Sequence, residues 1–167
     1  AEVAIAFLPI YKETNYRHGF VSTELPTAIV MAQGTDADYP DRVQAIVEAG
    51  KARFKATQDE IAKLNNGVPT RNIFLKIPAT EIGLKAGEIL ESLCYNVNYT
   101  LVATKEQYRA TVIAHKWGVM AFVKNYRAKY NDALPPLELI PQSVSSDFVS
   151  RDDRSVAPIL DGVIKGD

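Results

Sequence analysis

The clearest candidate for chemistry is Lys76, the one charged residue in an apolar run that predicts a strand over residues 72–78. Side chains alternate along a strand, so Lys76 shares a face with Asn72 and Phe74. The carboxyl ends of strands carry the chemistry of α/β proteins. A lysine in dry surroundings becomes a nucleophile toward carbonyl groups, whereas a lysine whose head reaches water is structural. The strand alone favours the structural interpretation, because lysines usually keep their heads in water.

Three further predicted strands, over residues 20–25, 97–103 and 144–149, end in polar side chains as well. If the four strands are adjacent in chain order, their ends span roughly 15 Å at a strand spacing of about 4.8 Å. A glutamate on a strand face is more often exposed than catalytic. Four strand ends with compatible groups nevertheless favour a catalytic site, with an arginine just beyond the last strand for an anion. The residues of these three strands predicted to share the polar face are Ser22, Glu24, Asn98, Thr100, Val102, Ser146 and Phe148.

Helical periodicity connects these strands and predicts how they are arranged. Helices are predicted over residues 2–13, 41–64, 81–93, 105–129 and 156–163. Pro9 predicts a kink or a helix boundary within the first of these helices. In residues 27–40 the apolar run is compatible with either a helix or a strand. The expected caps are Asp41, Thr80 and Thr104 with Gln107. Strands that alternate with helices predict an α/β fold with a parallel sheet and right-handed crossovers.

Composition narrows the classes of function. The 167 residues suffice for one domain, and the formal net charge of -1 gives no electrostatic case for nucleic acid or an anionic membrane. No apolar run reaches membrane-spanning length, and the first residues carry no basic segment typical of a signal peptide. The single cysteine, Cys94, favours a reducing compartment such as the cytoplasm. His18 and His115 lie far apart and form no predicted metal site.

Four blocks of sequence, in the same order along the chain, resemble the transaldolase family. They are Gly-Phe-Val-Ser-Thr-Glu at 19–24, Phe-Leu-Lys-Ile-Pro-Ala-Thr-Glu-Ile-Gly-Leu-Lys-Ala at 74–86, Asn-Val-Asn-Tyr-Thr-Leu at 96–101 and Ser-Asp-Phe-Val-Ser-Arg at 146–151. Each block alone is weak evidence for this resemblance, but the four blocks together, in this order, are specific to the family. The resemblance implies a (β/α)8 barrel of the TIM type and a reaction without a cofactor.

The resemblance also implies a role for each of three catalytic residues. Lys76 would form a Schiff base with a ketose phosphate, whose carbon–carbon bond then breaks. The dihydroxyacetone unit left on the lysine would pass to an aldose phosphate. Glu24 and Thr100 would move the protons of imine formation through a water molecule. A protonated imine is an electron sink, which suits this chemistry.

Four further residues would bind the substrate if the resemblance holds. Asn98 and Ser146 would bind hydroxyl groups of the donor sugar. Arg151 would bind its phosphate, a group that a guanidinium contacts in bidentate fashion, and Phe148 would pack beside it. The implied partners are therefore sugar phosphates.

The chain also departs from the family pattern. A complete barrel takes about 250 residues, and the resemblance implies that this chain covers about four central units, the third to sixth strands. The family's first-strand aspartate, which breaks the carbon–carbon bond, has no counterpart here, since Asp147 and Asp153 do not match its context. Three alternatives stay open: an excerpt of a longer enzyme, a half-barrel completed by another copy or another chain, and a binding or assembly module. A class I aldolase that releases free dihydroxyacetone is a further alternative.

Overall fold

A four-stranded sheet forms the centre of the fold in the computed structural model, which describes residues 1–30, 32 and 34–147. All neighbouring strands are parallel, and their order across the sheet is their order along the chain. This arrangement confirms the predicted α/β class and the parallel pairing. The strands are β1 (Val21–Glu24), β2 (Ile73–Pro78), β3 (Asn96–Val102) and β4 (Ser143–Asp147).

Helices connect the strands, and the predicted positions over residues 41–64, 81–93 and 105–129 are confirmed to within a few residues. The helix predicted over residues 156–163 lies outside the described residues. Helix α5 begins at the predicted cap Thr80, whose Oγ1 accepts a hydrogen bond from the Gly83 amide at 3.1 Å. The predicted helix over 2–13 is two helices, with Pro9 in the first turn of the second, where its missing N–H costs nothing. The helices are α1 (Glu2–Ala6), α2 (Leu8–Glu13), α3 (Thr27–Val30), α4 (Tyr39–Leu64), α5 (Glu81–Ser92) and α6 (Lys105–Lys129).

The prediction that Asp41 caps α4 is wrong. The helix begins at Tyr39, and Asp41 lies in its first turn together with Pro40. A 3-10 turn at Asp36–Asp38 precedes it, where the Asp38 carboxylate accepts a hydrogen bond from the Thr35 amide at 3.0 Å. Proline fits the first helical turn because no hydrogen bond requires its N–H there, so it lies inside the helix rather than ahead of it.

The outer face of the sheet packs against α4 and α5 to form the hydrophobic core. The strand residues on this outer face are fully or almost fully buried. Burial of each large apolar side chain stabilises the folded state by roughly 1.5–3 kcal/mol. The close approach of α5 depends on Gly87, where a Cβ would lie 2.5 Å from the Tyr99 phenol. The outer-face residues of β2 and β3 in this core are Ile73, Leu75, Ile77, Val97 and Tyr99.

The inner face of the sheet is polar and concave. Asn98 on β3 donates a hydrogen bond to Ser22 on β1 at 2.9 Å, although β2 lies between these strands. In a flat sheet two such strands would be about 10 Å apart, so the bond requires the sheet to curve around this face. Four parallel strands with a concave polar face and helices on the convex face are consistent with part of a (β/α)8 barrel. The full strand count and a single domain over 1–167 stay predictions.

The lower end of the inner face, where the strands begin, is closed by packing and hydrogen bonds. The side-chain Nδ2 of Asn72 donates hydrogen bonds to the backbone carbonyls of Ala4 and Gly19 at 2.8 and 2.9 Å. The ring of Phe74 stacks on that of Phe20 with centroids 4.4 Å apart. These contacts lie at the opposite end of the inner face from the carboxyl ends of the strands.

Candidate functional site

Lys76 and Glu24 form an ion pair at the carboxyl end of the inner face. The backbone register places Glu24 beside Lys76, and Lys76 beside Asn98. The Lys76 Nζ lies 2.9 Å from the Glu24 Oε1, with 26% of the lysine side chain and 72% of the glutamate side chain exposed. The hydrogen bond from Lys76 lowers the pKa of Glu24, so Glu24 is a carboxylate at neutral pH. Lys76 is thus mostly covered and held beside a proton acceptor.

Asn98 connects three strands of the site. Its side chain is nearly buried, at 7% exposure. The Oδ1 accepts a hydrogen bond from the Ser146 Oγ at 2.7 Å, and the Nδ2 donates to the Ser22 Oγ at 2.9 Å. The predicted grouping of Asn98, Ser146, Lys76 and Glu24 on one face is therefore confirmed in the structure.

Thr100 completes the described part of the site. It pairs with Pro78 on one side and Ser146 on the other, and it is 5% exposed. Among the residues that the structure describes, none hydrogen-bonds to its buried Oγ1. An unpaired buried hydroxyl is costly, so this atom is suited to hold a water molecule or a ligand group.

A β-bulge follows Thr100 and corrects one prediction. The register passes from Thr100 beside Ser146 directly to Val102 beside Asp147, and skips Leu101. Leu101 has a φ of 60°, in the left-handed region that a leucine rarely adopts. Because one extra residue reverses the alternation, Val102 does not share the face of Thr100 as predicted.

Two inner-face residues, Ser22 and Asn96, make contacts that the sequence did not predict. Ser22 was placed on the polar face, and the structure adds its bond to Asn98. Asn96, which directly precedes the strand predicted over residues 97–103, begins β3 and joins its neighbours: its Nδ2 donates to the carbonyl of Ile73 at 3.2 Å and its Oδ1 accepts from the Gln142 backbone amide at 3.0 Å. The alternation of Asn96, Asn98 and Thr100 was the signal available for this polar row.

A second polar cluster lies between α5 and α6, outside the candidate site. Glu91 is fully buried, and its Oε1 lies 3.1 Å from the His115 Nδ1. Burial raises the pKa of Glu91, although the bond to His115 opposes this shift. Gly118 makes room for the carboxylate, since a Cβ there would lie 2.7 Å from the Oε2. Gly118, a glycine in the interior of the helix predicted over residues 105–129, was the available sign of this close helix–helix approach.

The remaining predicted site residues, Phe148 and Arg151, lie outside the described residues, so their roles stay predictions. Within the described ranges, no group of three or more His, Cys, Asp or Glu residues is placed to hold a metal ion. No helix among the same residues has both the length and the apolar character needed to cross a membrane.

Comparison with known protein families gives one extended match. The sequence model of the transaldolase/fructose-6-phosphate aldolase family matches residues 19–164, which is most of the chain. The matched region includes all four strands and every candidate site residue.

Comparison with individual proteins gives matches of the same kind. The chain is 28% identical over 159 residues to a transaldolase of Trichodesmium erythraeum, an alignment that covers 95% of this chain and 34% of that protein. It is 31% identical over 137 residues to a transaldolase of Mycobacterium bovis, with 81% of this chain and 34% of that protein covered. The chain therefore spans about a third of the length of these curated relatives.

Proposed function

The chain belongs to the transaldolase/fructose-6-phosphate aldolase family, and from this premise we propose that it carries the imine-forming part of a transaldolase site. The proposed reaction moves a dihydroxyacetone unit between sugar phosphates through a Schiff base on Lys76. The observation that carries this proposal is the Lys76–Glu24 pair at 2.9 Å on the concave polar face. An amine beside a carboxylate, with hydroxyl and amide groups around them, suits the capture of a polyhydroxylated ketone.

Imine formation requires proton transfers at each step, and Glu24 is positioned to serve them. Glu24 takes a proton from the Lys76 ammonium, and the neutral amine attacks the C2 carbonyl carbon of the ketose. The attacking nitrogen loses a second proton as the carbonyl oxygen becomes a hydroxyl group. Glu24 then returns the proton it took to that hydroxyl, which leaves as water and gives the iminium ion. The ionised state of Glu24 at neutral pH supports its role as the first proton acceptor.

Thr100 is proposed to hold the water molecule that relays these protons. Its Oγ1 is buried and has no hydrogen-bond partner among the described residues, which leaves it able to bind water. Thr100 adjoins Ser146 in the sheet register and lies on the same face as Lys76. This position supports a relay between Glu24 and the reacting carbon.

Substrate binding is proposed to use the polar groups around Lys76. Asn98 and Ser146 are joined at 2.7 Å and would bind donor hydroxyl groups with their remaining hydrogen-bonding capacity. Arg151 would bind the substrate phosphate, with Phe148 beside it. No cofactor enters the proposed reaction.

The family description joins two activities, and this favours an aldolase as the second candidate. A fructose-6-phosphate aldolase would form the same imine on Lys76 but release dihydroxyacetone instead of transferring it. Supplying fructose 6-phosphate with and without an aldose phosphate acceptor separates the two activities. Product that appears only with the acceptor supports transfer, and free release without acceptor supports the aldolase.

A partner for the sheet edges is also part of the proposal. Among the described strands, β1 and β4 each pair on one side only, and folded proteins normally cover such edges. Another copy, another chain or a further part of a longer protein would complete the barrel. Native mass spectrometry of the 167-residue chain would measure self-association directly.

Trapping of the imine tests the proposed function. The chain would be incubated with fructose 6-phosphate, reduced with borohydride and digested with trypsin. Modification of Lys76 blocks cleavage there, so we expect one peptide over residues 72–85 that carries the adduct. Its mass reports whether the six-carbon sugar phosphate or the three-carbon remnant is bound, and hence whether the carbon–carbon bond breaks.

A matched control comes from another lysine–glutamate pair on the same chain. Lys85 lies 2.7 Å from Glu88 on α5, outside the site. We expect Lys76→Met to abolish the adduct and Lys85→Met to leave it unchanged. A folded wild-type chain without an adduct on Lys76, or with equal labelling of Lys85, would contradict the proposed function.

A further inference from the structure

Asn98 can bind a donor hydroxyl only if the plane of its amide is fixed. A free asparagine rotates about its terminal torsion, and rotation exchanges its donor and acceptor positions. The structure fixes this plane at both ends: Ser146 donates to the Oδ1, and the Nδ2 donates to Ser22. We propose that Ser22 is a positioning residue, which acts on the substrate only through Asn98. This inference rests on the proposed function.

Three observations point to Ser22 in particular. Its Oγ is 2.9 Å from the Asn98 Nδ2, a normal hydrogen-bond length. It lies on β1, two residues before Glu24 and therefore on the same inner face. It reaches Asn98 over β2, so the bond joins the strand of the proposed base to the strand of the proposed ligand. Ser22 thereby couples the position of Asn98 to the curvature of the sheet.

The arrangement leaves part of the Asn98 amide for the substrate. One hydrogen of Nδ2 goes to Ser22 and one lone pair of Oδ1 goes to Ser146, which leaves one donor and one acceptor. Both ends of the amide are anchored on strands of the sheet, which are more rigid supports than loops. The chemical class recognised by the free donor and acceptor is a vicinal or terminal hydroxyl of a ketose.

The test compares substitutions at Ser22 with a matched change at its neighbour. Thr23 lies on the opposite face of β1, where its Oγ1 accepts a hydrogen bond from the Arg53 Nε at 2.8 Å. Borohydride trapping on Lys76 would be followed at increasing fructose 6-phosphate concentrations. We expect Ser22→Ala to raise the half-saturating concentration about tenfold, less than the ~100-fold that a 1 Å misplacement can cost. We expect Ser22→Thr to restore it and Thr23→Val to match the wild type.

A double-mutant cycle tests whether Ser22 acts through Asn98. In an Asn98→Ala background, Ser22→Ala is expected to add no further change in the half-saturating concentration. A Ser22→Ala variant with wild-type values, or one whose effect persists undiminished in the Asn98→Ala background, would overturn the inference. If the wild type itself fails to trap substrate, the proposed function fails instead.

The positioning role of Ser22 can also be measured by NMR without any enzymatic activity. The Asn98 side-chain amide gives its own pair of proton resonances in a 15N correlation spectrum. We expect Ser22→Ala to shift these resonances and to speed their exchange with water, and Thr23→Val to leave them in place. Identical Asn98 resonances in the wild type and Ser22→Ala would overturn the positioning role, whatever the trapping result.

Discussion

The two faces of the same sheet differ in what holds their side chains. On the outer face, Leu75, Ile77 and Tyr99 are fully buried against helices. On the inner face, one residue away along the same strands, Lys76 and Asn98 are held by an ion pair and by hydrogen bonds. Alternation along a strand thus separates apolar packing from polar chemistry within a few ångströms.

This separation indicates how stability and chemistry are distributed in the molecule. Apolar packing is nondirectional and large in total, whereas the hydrogen bonds of Asn98 to Ser22 and Ser146 are directional and individually worth about 0.5–1.5 kcal/mol. Changes on the outer face should therefore alter the free energy of unfolding, while changes on the inner face should alter imine formation.

The largest loss of stability is expected from Leu75→Ala. Leu75 is fully buried in the outer-face core, and removal of a buried leucine side chain costs about 2–5 kcal/mol. Urea denaturation followed by circular dichroism measures this loss. We expect the folded fraction to trap fructose 6-phosphate on Lys76 at the wild-type rate. A loss below about 1 kcal/mol would mean that the core is far looser than its burial indicates.

A smaller loss is expected from Gly87→Ala. The added methyl group would lie 2.5 Å from the buried Tyr99 phenol, so α5 or the ring must move. Overpacking of this kind costs about 1–3 kcal/mol. The same denaturation measurement applies, and Gly67→Ala is unsuitable as its control because Gly67 has a positive φ. Ala56→Gly, at an exposed position of α4, serves as the comparison for helix propensity alone. An unchanged free energy of unfolding in Gly87→Ala would refute the close contact.

Glu91→Gln should change how stability depends on pH. Burial raises the pKa of Glu91 in the folded state above its ordinary value, so the folded protein holds this proton more tightly than the unfolded chain does. The free energy of unfolding of the wild type therefore falls as pH rises from the ordinary carboxyl range through the raised pKa. The variant lacks this decrease.

Denaturation of both proteins across that pH range measures the difference. We expect the free energy of unfolding of Glu91→Gln to rise relative to that of the wild type as pH rises. The expected difference at neutral pH is roughly 1 kcal/mol, the scale of one buried hydrogen bond. If the difference in free energy of unfolding between the two proteins did not change with pH, burial of the Glu91 charge would not be what lowers stability.

The smallest effect on stability is expected from Glu24→Gln, because the Glu24 side chain is largely exposed. Its effect on imine trapping should be large, since a positioned proton acceptor contributes about 10²–10⁴-fold. Because Lys76 lowers the pKa of Glu24, the wild-type rate should resist acid until the pH falls below the ordinary carboxyl range. Glu88→Gln is the matched control. If Glu24→Gln trapped the substrate on Lys76 as fast as the wild type does, Glu24 would not be the proton acceptor of the proposed mechanism.

Strand alternation made the site partly predictable from sequence. The apolar pattern of β2 gave the face of Lys76, and alternation in the other strands gave Glu24, Asn98 and Ser146 as its neighbours. Parallel pairing followed from the order of strands and helices. Short local signals also sufficed for the helix start at Thr80, where one side chain satisfies a backbone amide.

The features that escaped prediction depend on tertiary geometry. The bulge at Leu101 interrupts a sequence whose alternation looks regular, because left-handed backbone at a leucine has no sequence signature. The bond between Asn98 and Ser22 exists only once the sheet is curved. The burial of Glu91 depends on how closely α5 and α6 approach at Gly118. Each of these is decided by packing between elements that lie far apart in sequence.

The consecutive strand order has a consequence for how the chain folds. Every pairing joins a strand to the next one along the chain, and each connection is made by a helix that packs beside the strands it links. The molecule can thus be assembled one β/α unit at a time, each added to the edge left by the previous unit. Each pairing closes only the connection between consecutive strands, and much of that connection is helical, so no step joins more distant parts of the chain. The same edge that admits the next unit leaves the last-added strand exposed until another segment pairs with it.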